Sequence, residues 1–264
     1  METQPTWHYG LVAEWWANFN TDGPEIEYFA RHAEAAQPVL DAGCGTGRLL
    51  VPWLRAGIDV DGCDASADMI ALCRKRARAE GFDPTLLVHP LHALDPPRRY
   101  RSIVVCGVFG LGSTHSQDAE ALSRLRAALE PGGTLLLDNQ VPYSNAGTWA
   151  RWAKPGREEL PSDWSPLEPE WRPADDASEY ALQTRILTLD PLDQSMRLAM
   201  HASKRVDGEV IGEEDHLLSL RFYFRDELLQ MLEQAGFASV RVEAGYNGRE
   251  PTADDDFLVF IASE

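Results

Sequence analysis

The sequence predicts an α/β fold: a seven-stranded, doubly wound sheet with an inserted antiparallel β cap and N-terminal lid helices. Strand-like and helix-like segments alternate between residues 38 and 140. The segment 102–108, SIVVCGV, is apolar on both faces, which is typical of a central parallel strand. A glycine-rich loop follows the first strand and opens a helix. Strands separated by helices of this length imply a parallel sheet covered on both faces.

The core segments follow one another in a regular order. PVLDAG at 38–43 is a buried strand bounded by glycine, and EPGGTLLLD at 130–138 combines a Pro-Gly-Gly stop with the last core strand. Hydrophobic periodicity separates the helices from the strands. Strands are predicted at 38–43, 58–64, 85–89, 102–108 and 134–139, and helices at 47–56, 67–81 and 118–133.

The N-terminal segment 1–37 reads as a helical lid. Tyr9, Val12, Trp16 and Phe19 recur at spacings of three and four and so form one apolar stripe. A second helix is expected to begin at Pro24, because proline suits the first turn of a helix.

The pattern changes after residue 140. Residues 141–178 are rich in tryptophan and proline and are predicted to be an irregular loop of the kind that often forms a lid. Three antiparallel strands are expected within 179–223, with turns at 190–193 and 207–208. Residues 224–264, with a helix at 225–235 and strands near 238–243 and 257–262, should complete the core.

Composition argues against several classes of partner. The net charge of −18 repels phosphate backbones and anionic lipid, so we expect no nucleic-acid and no membrane partner. The first residues, METQPTWHYG, lack the basic and apolar regions of a signal peptide, and a cytoplasmic protein is expected. No two of the four cysteines form a CxxC pair, and no metal site is predicted.

The loop VLDAGCGTG at 39–47 carries the main chemical signal. Gly43, Gly45 and Gly47 permit positive φ and a close approach of the backbone to a ligand. The helix behind them presents free N–H groups to an anionic group. A dinucleotide fingerprint, GxGxxG, would need glycine where this sequence has Arg48, so the loop favours another nucleoside cofactor.

The loop resembles motif I of the class I methyltransferases, whose fold is Rossmann-like and whose cofactor is S-adenosyl-L-methionine. Asp64, which ends the second strand, resembles the acidic residue that holds both ribose hydroxyls in that family; the alternative is a helix N-cap. Met69 stands where the family packs a side chain against adenine, or else belongs to the core. His89, Pro90, Leu91 and His92 replace the usual acidic adenine contact.

The resemblance extends beyond the glycine loop. It covers 38–140 strongly, 1–37 and 224–264 moderately, and 141–223 only as an inserted cap. HYGLVAEWW at 8–16 resembles a lid helix in which two aromatic residues, here Tyr9 and Trp16, close over the cofactor. The cofactor-binding residues that the resemblance implies are Tyr9, Trp16, Asp41, Gly43, Cys44, Gly45, Asp64, Ala65, Met69, Leu91 and Cys106. Within the family, the sequence resembles the small-molecule branch that includes deoxysugar methyltransferases of antibiotic pathways.

Acceptor-side candidates follow the fourth and fifth strands, because ligands bind beyond the carboxyl ends of strands in open sheets. His115 is a candidate base, with Asn139 and Tyr143 as further catalytic candidates; a solvent-exposed loop histidine is the alternative for His115. The predicted substrate-binding residues are Trp149, Trp152, Arg221 and Tyr223, each of which could instead serve packing or an ordinary salt bridge. His201 and His216 lie on inserted strands and could face either the pocket or solvent.

The sequence therefore predicts transfer of a methyl group from S-adenosyl-L-methionine to a small-molecule acceptor, at nitrogen or oxygen rather than carbon. Four segments are expected: an N-terminal helical lid (1–37), a cofactor-binding core (38–140), an inserted loop and cap (141–223) and a C-terminal completion (224–264). A nicotinamide-dependent oxidoreductase and a non-catalytic cofactor-binding protein remain alternatives. An exposed edge of the cap sheet could pair with a second copy and make a homodimer.

Overall fold

A computed structural model describes residue 6 and residues 8–263. The helices are α1 (Gly10–Phe19), α2 (Pro24–Ala35), α3 (Leu50–Arg55), α4 (Ala67–Ala79), α5 (His115–Ala127), α6 (Ala146–Ala150), α7 (Lys154–Glu158) and α8 (Arg225–Gln234). The strands are β1 (Val39–Ala42), β2 (Val60–Asp64), β3 (Leu86–Val88), β4 (Tyr100–Val105), β5 (Leu129–Gln140), β6 (Arg172–Pro173), β7 (Ser178–Asp190), β8 (Ser195–Val206), β9 (Glu209–Arg221), β10 (Ser239–Ala244) and β11 (Phe257–Ser263).

The predicted seven-stranded, doubly wound sheet is confirmed. Its order is β10-β11-β5-β4-β1-β2-β3, and β11 alone runs antiparallel to its two neighbours. One core cluster packs α5 and α8 on one face of the sheet, through Leu122, Leu125, Leu228 and Leu232. A second cluster packs α2, α3 and α4 on the other face. The carboxyl ends of β1, β2 and β4 therefore meet at one edge, where a ligand can bind.

A separate antiparallel sheet forms the inserted cap, in the order β6-β7-β8-β9. The three long strands were predicted; the two-residue β6, which pairs Arg172 with Tyr180, was not. Within the region predicted as irregular, α6 and α7 form two five-residue helices. Helices this short give no detectable periodicity, so the sequence pattern could not distinguish them from loop.

The N-terminal segment divides between the two sheets. Leu11 and Val12 of α1 pack against Tyr180, Met200 and Leu218 of the cap sheet. By contrast, Tyr28 and Phe29 of α2 belong to the core cluster of the large sheet. The second helix begins at Pro24, as predicted. The prediction for residues 1–5 and Trp7 lies outside the described residues.

Two predicted helices had wrong boundaries. The helix predicted at 118–133 begins at His115, because Thr114 and Gln117 form a reciprocal capping box. It ends at Ala127, and the Pro-Gly-Gly segment already belongs to β5, where the pairing with β4 shifts register. The helix predicted at 47–56 begins only at Leu50, after a turn. Among the described residues, no helix has both the length and the apolar character needed to cross a bilayer.

Candidate active site

A cavity of about 820 Å³ opens at the carboxyl ends of β1, β2 and β4. Residues of the glycine loop, of the α5 N-terminus and of α1 form its walls. The lining includes ten residues that the sequence nominated for the cofactor: Trp16, Asp41, Gly43, Cys44, Gly45, Asp64, Ala65, Met69, Leu91 and Cys106. The volume falls in the upper part of the range of about 300–1,000 Å³ typical of small-molecule sites.

The glycine loop has two different reasons for its glycines. Gly43 has φ +93°, and a Cβ there would lie 2.4 Å from Cγ2 of Val108, so packing alone requires glycine. Gly45 has φ +53°, but a Cβ there would meet nothing within 4 Å. Because Gly45 lines the cavity, its missing side chain leaves space for a ligand rather than for protein.

Asp64 is fixed by backbone groups. Its Oδ2 accepts a hydrogen bond from the N–H of Gly45 at 3.0 Å, and its Oδ1 accepts one from the N–H of Ser66 at 2.8 Å. Burial raises the pKa of this carboxyl, and these bonds oppose the rise. Each carboxylate oxygen has a second lone pair, so Asp64 can still receive two ligand hydroxyls. Ser66, not Asp64, is the N-cap of α4.

Asp41 of the glycine loop has one carboxylate oxygen without a partner among the described residues. It is 1% exposed, and its buried Oδ2 accepts no hydrogen bond from the described residues. Burial, and then the charge of Asp64, raise its pKa to about 7. A buried carboxylate is costly unless a cation or donor accompanies it, so Asp41 fits a ligand ammonium group. This orphaned oxygen and the open space at Gly45 fit the amino-acid end of S-adenosylmethionine.

Side chains of low charge form the cavity wall where the sequence predicts the adenine contact. Met69 is 5% exposed and lines the cavity with Leu91, which begins a 3-10 turn at Leu91–Ala93. His89 lies within hydrogen-bond distance of the carbonyl of Ala93, with its Nδ1 at 3.1 Å. His92 lies 3.4 Å, Nε2 to Nε2, from Gln117. Residues 89–92 therefore line the cavity, and their contact with adenine stays a prediction.

The sequence did not single out Asp138, a buried carboxylate near the end of β5. Asp138 accepts hydrogen bonds from the N–H of Gly107 at 2.6 Å, the hydroxyl of Tyr246 at 2.6 Å and Sγ of Cys106 at 3.2 Å. Burial raises its pKa, and these bonds oppose the rise. Its position near the end of a core strand was a usable signal, but Tyr246 comes from a distant loop that no local pattern connects to it.

The glycine loop is also tied to α2. Arg48, which separated the loop from a dinucleotide fingerprint, forms an ion pair with Glu25, and both side chains are largely buried. The second guanidinium nitrogen of Arg48 approaches Sγ of Cys106 at 3.8 Å. Both charged residues line the cavity. Glu25 lies directly after Pro24, but nothing in the helix pattern predicts that its carboxylate turns toward the site.

Asp118, in the first turns of α5, is a buried cavity residue that the sequence missed. It is 3% exposed, lines the cavity, and accepts hydrogen bonds from Oγ of Ser113 at 2.6 Å and the hydroxyl of Tyr223 at 2.5 Å. Burial raises its pKa against the effect of those bonds. A polar residue in the first turns of an amphipathic helix looks solvated in sequence, so its burial could be found only from tertiary structure.

The nominated catalytic residues lie outside the described lining of the cavity. His115 is the exposed first residue of α5, with its ring centroid 6.1 Å from that of Tyr223. The side chain of Asn139 donates to the carbonyl of Tyr223 at 3.0 Å. Tyr143 is 41% exposed and packs edge-on against Trp149. The structure therefore brings these residues near Tyr223 and the insert rather than to the cavity wall.

The other nominated residues also have protein partners. Tyr9 stacks on His216 with ring centroids 4.2 Å apart, whereas Trp16 faces the cavity. Trp149 and Trp152 pack together, and Trp152 contacts Phe222. Arg221 pairs with Asp193 at 3.0 Å, and Tyr223 holds Asp118. His201 lies with Nδ1 2.9 Å from Asp215.

The cavity is strongly acidic. Its described lining includes one arginine, Arg48, and eight carboxylates: Glu25, Asp41, Asp64, Asp118, Asp138, Asp254, Asp255 and Asp256. Arg249 and Thr252 satisfy the carboxylate of Asp255. A cleft lined by one sign of charge concentrates ligands of the opposite sign. The electrostatics therefore favour cationic ligands, such as a sulfonium or an ammonium group.

The fold and this site define a nucleoside-binding α/β enzyme. Residues 39–133 match the family model of a methyltransferase domain. This part of the chain is therefore a methyltransferase domain of the S-adenosylmethionine-dependent kind.

Three similar proteins extend the comparison over the whole chain. A Geobacillus sp. (strain WCH70) protein named as a methyltransferase is 23% identical over 88% of this chain and 86% of its own length. The CcbJ methyltransferase from Streptomyces caelestis has a TM-score of 0.71 at 23% identity, over 98% of each chain. S-adenosylmethionine-bound CalS10, an amino pentose methyltransferase from Micromonospora echinaspora, has a TM-score of 0.61 at 19% identity, over 95% of this chain and 94% of its own. At these identities the structural likenesses establish the fold.

Proposed function

We propose that the protein methylates a small molecule at an amine or hydroxyl group, with a cationic amine as the favoured acceptor. The observation that carries the proposal is the acidic cavity of about 820 Å³, which reaches from the glycine loop to Asp118. An ammonium-bearing acceptor gains from this field, whereas a phosphate-rich polymer does not. The amino pentose named for CalS10 is an acceptor of the same chemical class.

The chain's own residues align the reactants and exclude water. Bound S-adenosylmethionine supplies a methyl group already activated on sulfur. Asp64 holds the ribose hydroxyls of the cofactor, and Asp41 holds its ammonium group. Trp16 of α1 covers the cavity. Orientation of this kind contributes roughly 7–11 kcal/mol in favourable cases, and closure keeps water away from the reacting atoms.

On the acceptor side we assign the first role to Asp118. Its carboxylate can hold an ammonium or accept the proton that an amine or hydroxyl loses. Tyr223 and Ser113 orient it by hydrogen bonds, so Tyr223 acts on the acceptor through Asp118. His115, Asn139 and Tyr143 stay predictions, as do the insert residues Trp149, Trp152 and Arg221, which would reach an acceptor larger than the cavity.

The four segments of the chain receive separate roles in this proposal. Residues 38–140 with 224–264 bind the cofactor, whereas 141–223 and α1 shape the acceptor side. All four cysteines are free and buried, which suits a reducing compartment such as the cytoplasm. The edge strand β9 exposes Val210, Ile211 and Leu217 and would be the contact in a homodimer.

A turnover panel tests the proposal. Purified protein is given methyl-labelled S-adenosylmethionine with amino sugars, simple amines, phenols and neutral sugars, and label transfer is measured. We expect turnover with an amine-bearing acceptor and release of S-adenosylhomocysteine. Turnover confined to uncharged carbon acceptors would overturn the acceptor assignment. Binding of S-adenosylhomocysteine without turnover of any acceptor would favour a non-catalytic role, and binding of NADH alone would favour the oxidoreductase alternative.

A further inference from the structure

We infer that Glu214 of the cap strand β9 is a positioning residue that holds the lid helix α1 over the cofactor cavity. The inference rests on the proposed function of that cavity. Helix α1 begins at Gly10 and has no side-chain cap from its own N-cap residue, Tyr9. The first N–H groups of a helix need acceptors, and here distant carboxylates supply them.

Two carboxylates from opposite sides of the site cap this helix. The N–H of Gly10 donates to Oδ2 of Asp68 at 2.8 Å, and the N–H of Leu11 donates to Oε2 of Glu214 at 2.8 Å. Asp68 lies in the first turn of α4, four residues after the ribose-binding Asp64. The negative charges also complement the positive end of the helix dipole. The start of the lid is therefore fixed jointly by the cofactor side and by the cap.

Oε2 of Glu214 also contacts His216 of the cap. His216 is 1% exposed and lies with Nε2 3.0 Å from Oε2 of Glu214, and its ring stacks on Tyr9. The fit at Gly10 is tight, because a Cβ there would lie 2.2 Å from Oε2 of Glu214. Glu214 thus touches the lid at Gly10 and Leu11 and the cap at His216.

The lid is joined to the ribose site by a second short path. Oγ of Ser66 donates to the carbonyl of His8, while the N–H of Ser66 donates to Asp64. His8 and Trp16, which belong to this segment, both line the cavity wall. A lid freed from Glu214 would leave these two side chains poorly placed, and the bound nucleoside would lose their cover.

Substitutions on β9 test the role. For Glu214→Ala we expect the Kd for S-adenosylhomocysteine, measured by calorimetry, to rise about five- to tenfold, the usual size of a lost helix cap. Amide hydrogen exchange at residues 10–12 should accelerate. Glu214→Gln keeps an oxygen acceptor for Leu11 and should stay within about twofold of wild type. Asp68→Ala, at an exposed position, should weaken binding independently.

Glu213→Ala is the matched control, because Glu213 lies on the same strand, faces outward and contacts His201 instead. Wild-type affinity and exchange in Glu214→Ala would overturn the inference, as would equal losses in Glu213→Ala. If Glu214→Ala does not fold, normal affinity in Asp68→Ala and in Gly10→Ala, which displaces the carboxylate, overturns it. Failure of the wild-type protein to bind S-adenosylhomocysteine would instead contradict the cofactor site, while lid exchange still reports on Glu214.

Discussion

Asp41 and Asp64 lie at the carboxyl ends of neighbouring parallel strands, and the buried Oδ2 of Asp41 has no hydrogen-bond partner among the described residues. Two backbone N–H groups hold Asp64, whereas the buried Oδ2 of Asp41 faces the same cavity without a donor. The charge of Asp64 adds to burial in raising the pKa of Asp41. A cation bound between these strands would relieve both carboxylates, and five predictions rest on this and on neighbouring contacts.

The affinity for S-adenosylhomocysteine should depend on pH through Asp41. Its pKa of about 7 in the ligand-free protein falls when an ammonium group binds, so binding favours the ionised carboxylate. Affinity should therefore be full above pH 7 and weaken below it, approaching tenfold per pH unit. Calorimetry in buffers of different ionisation enthalpy should show proton release on binding at pH 6 and little at pH 8. Equal Kd values at both pH values would contradict the assignment.

Asp41→Asn should separate stability from binding. The folded pKa of Asp41 lies above its unfolded value near 3.8, so the ligand-free protein loses stability as pH rises from about 4 to 7. Removing that charge should stabilise the protein at pH 8, by on the order of 2 kcal/mol, and weaken S-adenosylhomocysteine binding at least tenfold. Thermal denaturation at pH 4.5 and pH 8 measures the first effect. A variant less stable than wild type at pH 8 would contradict it.

Asp64→Ala should weaken S-adenosylhomocysteine binding by about 10- to 100-fold, the range expected when hydrogen bonds to a charged group are lost. It also frees the N–H groups of Gly45 and Ser66, so part of the loss comes from the loop. Asp64→Asn keeps one oxygen acceptor, so its affinity for S-adenosylhomocysteine should lie between those of wild type and Asp64→Ala. Asp83→Ala, at an exposed ion pair with Arg78, serves as the control. Unchanged affinity in Asp64→Ala would remove Asp64 from the site.

Gly45→Ala should weaken cofactor binding more than it weakens the fold. The new Cβ meets no protein atom within 4 Å and projects where the ligand lies, while positive φ costs roughly 1 kcal/mol. Gly57→Ala is matched, since Gly57 has φ +81° and equal open space but lies after α3, away from the cavity. Both should lower the melting temperature similarly, and only Gly45→Ala should raise the Kd for S-adenosylhomocysteine. Equal Kd values in the two variants would refute the idea.

Asp118→Asn should lower kcat/KM for the acceptor at least tenfold and leave the Kd for S-adenosylhomocysteine within about twofold. The amide keeps the shape but loses the negative charge that binds an ammonium and accepts its proton. Steady-state kinetics with the best amine of the turnover panel provide the measurement. Glu120→Gln, on the exposed face of the same helix, is the control. Normal turnover in Asp118→Asn would show that Asp118 serves only to hold Tyr223.

The sequence predicted the fold well because the fold follows from local periodicity. The alternation of strands and helices, the start of α2 at Pro24 and the long cap strands were all visible as patterns. The cofactor side was also predictable, since Asp41, Gly45 and Asp64 lie within or beside one glycine loop and the next strand end. Boundaries failed where capping or a register shift decided them, as at Thr114 and in the Pro-Gly-Gly segment.

The acceptor side could not be predicted in the same way, because it depends on contacts between distant segments. Asp118 is buried by Tyr223, which is 105 residues away, and Tyr246 reaches Asp138 across 108 residues. His115 is close to Asp118 in sequence, but the capping box at Thr114 makes it the exposed first residue of α5. Periodicity reports which face of an element is buried, and it does not report which side chains share a cavity.

The most direct test of the cofactor site is a crystal structure of the protein with S-adenosylhomocysteine. The account predicts that the ribose hydroxyls contact the carboxylate of Asp64, and that the ammonium group lies beside Oδ2 of Asp41. The nucleoside should run along Gly45 with its sulfur facing the side of the cavity that Asp118 lines. A nucleoside bound with its ribose away from Asp64, or no nucleoside in the cavity at saturating concentration, would contradict it.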